Sequence, residues 1–184
     1  MKKIVLALVC FATFQNANAQ KSDSTANKEP VYNQTNDDKI FTPPAFFETY
    51  GLKKGETNTL LHVYNNFGDG SKYQRVVDIR WTFQTEADAL KWHTMNVATN
   101  SEGGTPVDAE IIIPGAKAVK AFREGPGTAN MMRSLGIVQR HHYLLFVYKN
   151  IVCKVFIASD EKTNTVEVVP FAIAAVTQLK SVIK

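Results

Sequence analysis

The sequence has too little cysteine to build a disulfide-stabilised domain. Only two of its 184 residues are cysteines, Cys10 and Cys153. Cys10 lies in an apolar N-terminal run that we expect to be removed, which leaves Cys153 without a partner in the chain. Cys153 itself lies among apolar residues, a setting more typical of a small buried hydrophobe than of a reactive thiol. We therefore expect a fold that is held together by its hydrophobic core.

The sequence also lacks a strong excess of charge. Lysine and arginine number 21 against 17 aspartates and glutamates, which gives a net charge of +4 at pH 7. Removal of Lys2 and Lys3 with the N-terminal run leaves +2, and the other basic residues are scattered along the chain. Domains that bind nucleic acids carry a basic patch or stripe, so no nucleic acid is expected as a partner.

Common sequence motifs of catalysis and cofactor binding are missing as well. No G-x-S-x-G nucleophile elbow occurs in the chain. Residues 125–128, Gly-Pro-Gly-Thr, suggest a phosphate-binding loop, but the G-x-x-x-x-G-K-[ST] pattern is absent and Pro126 removes one backbone donor. The sequence therefore predicts no cofactor, and an enzyme is the less favoured class of protein.

The four histidines do not form a metal-binding motif. His141 and His142 are adjacent in a predicted strand, so their side chains point to opposite faces and cannot chelate one ion. His93 falls on the apolar side of a predicted helix, where a hydrogen-bonded core histidine is expected. His62 has no carboxylate or cysteine partner nearby in the sequence. No metal is predicted, although a site assembled in space from His62, His93 and a strand residue stays open.

An export signal is present at the N-terminus. The chain begins with a basic pair, residues 4–14 are apolar, and residues 17–19, Ala-Asn-Ala, form a small-x-small cleavage site. Residues 1–19 are therefore predicted to be a bacterial signal peptide that directs the protein to the periplasm or out of the cell. No later stretch approaches the roughly 18 to 20 apolar residues of a membrane span, so no transmembrane segment is expected in the mature chain.

The mature chain is predicted to contain a tether and one domain. Residues 20–38 are mostly polar and have almost nothing to bury, which is typical of a disordered tether. Residues 39–184 are enough for a single domain with a sizeable core.

The centre of this domain is predicted to be a β-hairpin. Residues 141–148 and 151–158 are both rich in β-branched and aromatic residues, and Lys149-Asn150 between them suits a two-residue turn. Both runs are apolar on both faces, which indicates strands in the middle of a sheet that is covered on each side.

Another strand is predicted over residues 72–83, which show the clearest alternation in the chain. Ile79 and Trp81 fall on one face, and Asp78 and Arg80 fall on the other. This period of two predicts a half-buried strand with its polar face in water.

The order of predicted elements defines the fold class. Strands are predicted at 59–64, 72–83, 111–113, 116–123 and in the hairpin, and helices at 86–98 and 166–183. This order has few strict βαβ units and predicts a single α+β domain, with a largely antiparallel sheet of about five to six strands and two main helices packed on it. The arrangement resembles that of small exported α+β domains, the PsbP-like architecture among them, in element order only.

A long loop offers the best candidate for a working surface. Residues 124–136 form a connection longer than usual, and such loops are often functional. Arg123, Arg133 and Arg140 could form a basic rim to this loop. Trp81 and Tyr143 are further candidates for contact with a ligand or partner.

The leading hypothesis for function is an exported, non-catalytic domain that binds a protein or small ligand in the envelope or outside the cell. The first alternative is a small exported enzyme, such as a hydrolase, whose site is assembled from dispersed histidines and carboxylates. The second is a carrier that binds a small ligand in a pocket lined by Trp81, Trp92 and Tyr143.

Overall fold

The chain folds as an α+β domain around one antiparallel sheet, as the sequence predicts. The computed structural model describes residues 30–32, 38–66, 68, 71–99, 104–125, 129–131, 134, 140–159 and 162–183. Seven strands form the sheet, against the five or six expected. The predicted signal peptide, most of the predicted tether and Arg133 lie outside the described residues.

The strands are β1 (Lys53–Thr57), β2 (Leu61–Asn65), β3 (Tyr73–Thr82), β4 (Thr105–Val107), β5 (Lys117–Arg123), β6 (Arg140–Tyr148) and β7 (Ile151–Ser159). The helices whose bounds are fully described are α1 (Pro44–Glu48), α2 (Glu86–Thr99) and α3 (Val169–Val182), with short 3-10 helices at Asp38–Ile40 and Thr165–Val168. Residues 129–131 and 134 are also helical, so the segment 124–136 is not the uninterrupted loop that the sequence analysis predicts.

The predicted hairpin lies at the centre of the sheet. The strand order is β1-β2-β3-β7-β6-β5-β4, and each neighbouring pair is antiparallel. Lys149 in the two-residue turn adopts a φ of 50°, the left-handed conformation that such a turn requires. Because β6 and β7 are covered on both sides, their apolar residues can face both ways.

The two faces of the sheet carry separate hydrophobic clusters. On the first face, α1, α3 and the N-terminal 3-10 helix pack over the sheet, and Phe47 and Phe171 join a large cluster with Phe146 and Val155. On the second face, α2 contributes Trp92 to a smaller cluster. Both clusters therefore include side chains from the central strands β6 and β7.

The prediction for the polar face of β3 is wrong. Asp78 and Arg80 are 1% and 0% exposed, whereas Ile79 and Trp81 on the opposite face are only half-buried. Asp78 and Arg80 point to the first face, which the helices cover, and they form an ion pair that lets both charges be buried there. In this strand, alternation marks the two faces correctly but does not show which of them meets water.

The two outermost strands have no clear signal in the sequence. All five residues of β1 are exposed, so this edge strand lacks an apolar face, and its lysines discourage pairing with another chain. At the other edge, β4 contains Pro106, which only an edge strand accommodates easily. Conversely, residues 111–113, predicted as a strand, lie outside any strand and lead into a turn in which Gly115 has a φ of 92°.

The C-terminal helix packs on the first face through its apolar side. Phe171, Ala175 and Leu179 are buried in the large cluster, and Ile173 is exposed as expected. The helical segment Thr165–Val182 is long and apolar enough to cross a membrane by length and composition, criteria that a core helix of a globular domain also meets. The absence of a transmembrane segment from the mature chain therefore stays a prediction.

Candidate functional site

A cleft of about 600 Å³ lies on the first face of the sheet, at the corner farthest from β1. Its walls come from β4 and the residues that follow it, from the adjoining ends of β5 and β6, and from residues 163–166, which lead into α3. Of the described residues that line it, four are acidic or basic, two of each kind: Arg123, Arg140, Asp108 and Glu124.

The pairing of β5 with β6 brings two of the predicted arginines into this cleft. Arg123 lies directly opposite His142 across the ladder, and Arg140 precedes His142 by two residues. All three side chains therefore share one face of the sheet. The sequence analysis predicts a basic rim to the loop 124–136 formed by Arg123, Arg133 and Arg140, and Arg133 and more than half of that loop lie outside the described residues. The rim therefore stays a prediction, although Arg123 and Arg140 do line one cleft.

Glu124 is a component of the cleft that the sequence analysis did not single out. Its Oε1 accepts a hydrogen bond from Nη1 of Arg140 at 2.9 Å, and its Oε2 accepts one from the backbone N–H of His141. The Glu124 side chain is only 7% exposed, and that of Arg140 is 35% exposed. Arg140 therefore neutralises a buried carboxylate and fixes the ends of β5 and β6 to each other.

His142 forms part of the wall between β6 and α3. It is 7% exposed, and its Nδ1 lies 2.9 Å from Oγ1 of Thr165. Burial lowers the pKa of His142, and the nearby Arg140 and Arg123 add to this effect although Glu124 opposes it. The neutral imidazole is hydrogen-bonded to the Thr165 hydroxyl and to the backbone of Thr163, and these contacts fasten residues 163–166 to the sheet.

Arg123 differs from Arg140 in its surroundings. It is exposed at the end of β5 and forms no ion pair with any other residue that the structure describes. Its guanidinium group is thus available to an acidic group that enters the cleft.

The two aromatic candidates lie on the opposite face of the sheet. Trp81 packs against Trp92 of α2 with ring centroids 4.9 Å apart, and Tyr143 stacks on Phe122 at 4.8 Å. Tyr143 is 4% exposed, and its ring edge lies so close to Gly104 that a Cβ atom there would collide with it. The predicted site residues are therefore divided between two surfaces, and these aromatic side chains do not line the cleft.

A second polar group of residues is buried under the segment 38–42. Arg80 Nη2 donates to the Asp78 carboxylate at 2.8 Å, and the backbone N–H of Thr42 donates to the same carboxylate at 3.3 Å. Cys153 faces Arg80 across the ladder, and burial raises the pKa of its thiol to about 11, although Arg80 opposes the shift. The thiol is thus protonated and inaccessible, so this group of residues offers no reactive surface.

His62 and His93 are buried away from the cleft. The His62 ring stacks on Phe41 at 3.9 Å, and its Nε2 lies 3.5 Å from the Asp38 carboxylate. His93 Nε2 lies 3.3 Å from the carbonyl oxygen of Leu145, which makes it the core histidine that the sequence suggested. Burial lowers the pKa of both imidazoles. Within the described part of the chain, no three or more His, Cys, Asp or Glu residues are grouped so that they could hold a metal ion.

Comparison with known proteins adds no assignment. The chain matches no protein family, no curated protein and no solved structure. The likeness to a PsbP-like architecture therefore stays an expectation from element order, and function has to be argued from the cleft itself.

Proposed function

We propose that the protein is an exported, non-catalytic domain that binds a partner in the bacterial envelope or outside the cell, and that the cleft is its binding site. The observation that carries the proposal is the convergence of Arg123 and Arg140 in this cleft. The pair of Arg140 and Glu124 holds the cleft in shape, and Arg123 stays available for contact.

Export is proposed from the sequence of the leader. Residues 1–19 combine a basic start, an apolar run and a small-x-small cleavage site, which together are typical of secretion. A cleaved leader would leave a mature protein in the periplasm or in the medium. Mass spectrometry of the mature N-terminus, with Gln20 as the expected first residue, tests this part directly.

Use of the cleft can be tested with a matched pair of substitutions near the start of the C-terminal helix. Val166 lines the cleft and is 59% exposed, whereas Ile173 is 40% exposed and lies outside the cleft. Val166→Asp should strongly reduce the amount of partner that is crosslinked in the native envelope, and Ile173→Asp should leave it unchanged. Equal capture by wild type and Val166→Asp would reject the cleft as the binding site.

A second candidate function is a small exported hydrolase. The observation that favours it is the presence of a neutral imidazole, His142, and a buried carboxylate, Glu124, in one cleft. Against it, Nδ1 of His142 is engaged by Thr165 and its Nε2 is buried, so neither nitrogen faces a substrate. An esterase and peptidase screen of wild type and His142→Gln decides the matter, because turnover that depends on His142 would replace the binding proposal.

A further inference from the structure

Among the described residues that line the cleft, one positive charge has no ionic partner. Arg140 is paired with Glu124 at 2.9 Å, and His142 is held neutral by its burial. Arg123 is therefore the described cation in the cleft that can form an ion pair with a ligand. Asp108, the remaining ionised side chain, is exposed where the chain leaves β4 at the end opposite to the Thr105–Arg123 pair. A ligand with one negative group at the Arg123 end is thus favoured over a polyanion, which would also meet Asp108 and Glu124.

The other walls of the cleft add an apolar requirement. Pro106, Val107 and Val166 face it, and Val166 is 59% exposed although it is aliphatic. A volume of about 600 Å³ admits a small molecule or the end of a peptide. An aliphatic or aromatic body lying against these side chains would bury surface that is now in contact with water.

The chemistry of Arg123 selects the acidic group. A guanidinium offers a planar fork of N–H donors that matches the two oxygens of a carboxylate. Arg123 is directly opposite His142, which is neutral and tied back to Thr165, so its neighbour across the ladder brings no charge of its own to the ligand.

We infer that the cleft recognises a carboxylate attached to an apolar group, with Arg123 as the contact for the carboxylate and Val166 as a contact for the apolar part. This inference rests on the proposed binding function of the cleft. Two sources carry such chemistry, namely a free carboxylic acid and the C-terminus of a peptide or protein that ends in an apolar residue.

Four probes separate the chemistry from its source. Hexanoate is compared with hexanamide, and an acetylated Ala-Ala-Ala-Leu peptide with a free C-terminus is compared with its C-terminal amide. Binding to the full mature protein is followed by calorimetry and by the NMR signals of the backbone amides of Arg123, His142 and Val166. The acids should shift these signals and bind about 10- to 100-fold more tightly than the amides, the range expected for hydrogen bonds to a charged group. Binding of the peptide acid alone indicates a protein terminus, and binding of hexanoate alone indicates a free acid. Equal binding of both acids shows that the cleft recognises only the carboxylate and apolar group that they share.

Variants decide whether Arg123 is the contact. Arg123→Gln should lower the affinity for the acids to that for the amides, and Arg123→Lys should retain part of it. Lys53→Gln, which removes one positive charge from the distant edge strand β1, should have no effect. Equal affinity for acids and amides, or an Arg123→Gln variant that binds as wild type does, would overturn the inference.

Comparison of the carboxylate probes with the Val166→Asp variant distinguishes this inference from the binding proposal on which it rests. If Val166→Asp abolishes partner capture while no carboxylate probe binds, the cleft is the binding site but the ligand class is wrong. If Val166→Asp leaves partner capture intact, the binding proposal fails regardless of the carboxylate results.

Discussion

Removing one charge from the buried pair of Asp78 and Arg80 should destabilise the fold more than any other polar substitution in this domain. Asp78→Asn keeps the size of the side chain and removes its charge. The guanidinium of Arg80, which is 0% exposed, would then be buried without a counter-ion. Burial is the largest influence on the pKa of Arg80 and lowers it, but Asp78, Cys153 and Tyr64 together raise it by more, so the pKa lies above its ordinary value. Arg80 cannot escape the penalty by losing its proton, because a guanidinium group is not deprotonated in proteins.

The size of the effect follows from the degree of burial. Removing one partner of a buried ion pair costs about 3–5 kcal/mol. For a domain of this size that corresponds to a fall in melting temperature of roughly 6–20 °C. The total stability of such domains is about 5–15 kcal/mol, so the variant would lose a large share of it. Replacing both charges, as in Asp78→Leu with Arg80→Met, leaves no stranded charge and should cost far less than the sum of the two single changes.

Urea unfolding followed by the fluorescence of Trp81 and Trp92 measures these values. The midpoints of Asp78→Asn, Asp78→Leu, Arg80→Met and the double replacement are compared with wild type at constant slope. Lys72→Met is the matched control, because it separates an exposed ion pair with Glu167 and should leave the midpoint nearly unchanged. A loss of less than about 1 kcal/mol for Asp78→Asn, or single losses that simply add in the double variant, would refute the reasoning.

Three further predictions concern the cleft, the histidines and the cysteine. Arg140→Ala should lower the melting temperature by a few degrees because it leaves the buried Glu124 unpaired, whereas Arg123→Ala should leave it unchanged. Equal melting curves for the two variants would show that the pair of Arg140 and Glu124 does not stabilise the fold. Burial lowers the pKa of all four histidines, so below about pH 6.5 the unfolded chain binds more protons than the folded one. The free energy of unfolding should therefore fall as the pH drops below the ordinary histidine value of 6.5. Thermal unfolding between pH 8 and 5 measures this, and a melting temperature that does not change with pH would contradict it. The thiol of Cys153, whose pKa is raised to about 11 by burial, should react with iodoacetamide only after urea unfolds the mature protein, and rapid labelling of the native state would disprove its inert setting.

The central elements could be predicted because local patterns and tertiary position agree there. Residues 141–158 are apolar on both faces, and the only place for such strands is under cover from both sides. The edge strand β1 carries no such pattern, since an edge with all five residues in water needs none. In β3 the pattern was informative about the faces and misleading about burial, because Asp78 and Arg80 form an ion pair that is buried under the segment 38–42.

Part of the candidate site could also be anticipated. Arg123 and Arg140 flank one connection in the chain, and in an antiparallel sheet the residues on either side of a connection lie near each other. Glu124 and His142 could not be assigned in this way. Their roles depend on the register between β5 and β6 and on the docking of residues 163–166, which no local pattern specifies.

Arg123 and Arg140 have the same charge and line the same cleft, yet the structure gives them opposite roles. Arg140 forms an ion pair with Glu124, whose side chain is 7% exposed, whereas Arg123 has no ionic partner among the described residues. Replacing both with alanine would therefore remove a ligand contact and loosen the cleft in one step, and a loss of binding could not be assigned to either cause. Arg123→Gln keeps the pair of Arg140 and Glu124 intact, so loss of carboxylate binding with an unchanged melting curve would identify recognition alone. This makes Arg123 the informative position, although the sequence ranks the two arginines as equal candidates.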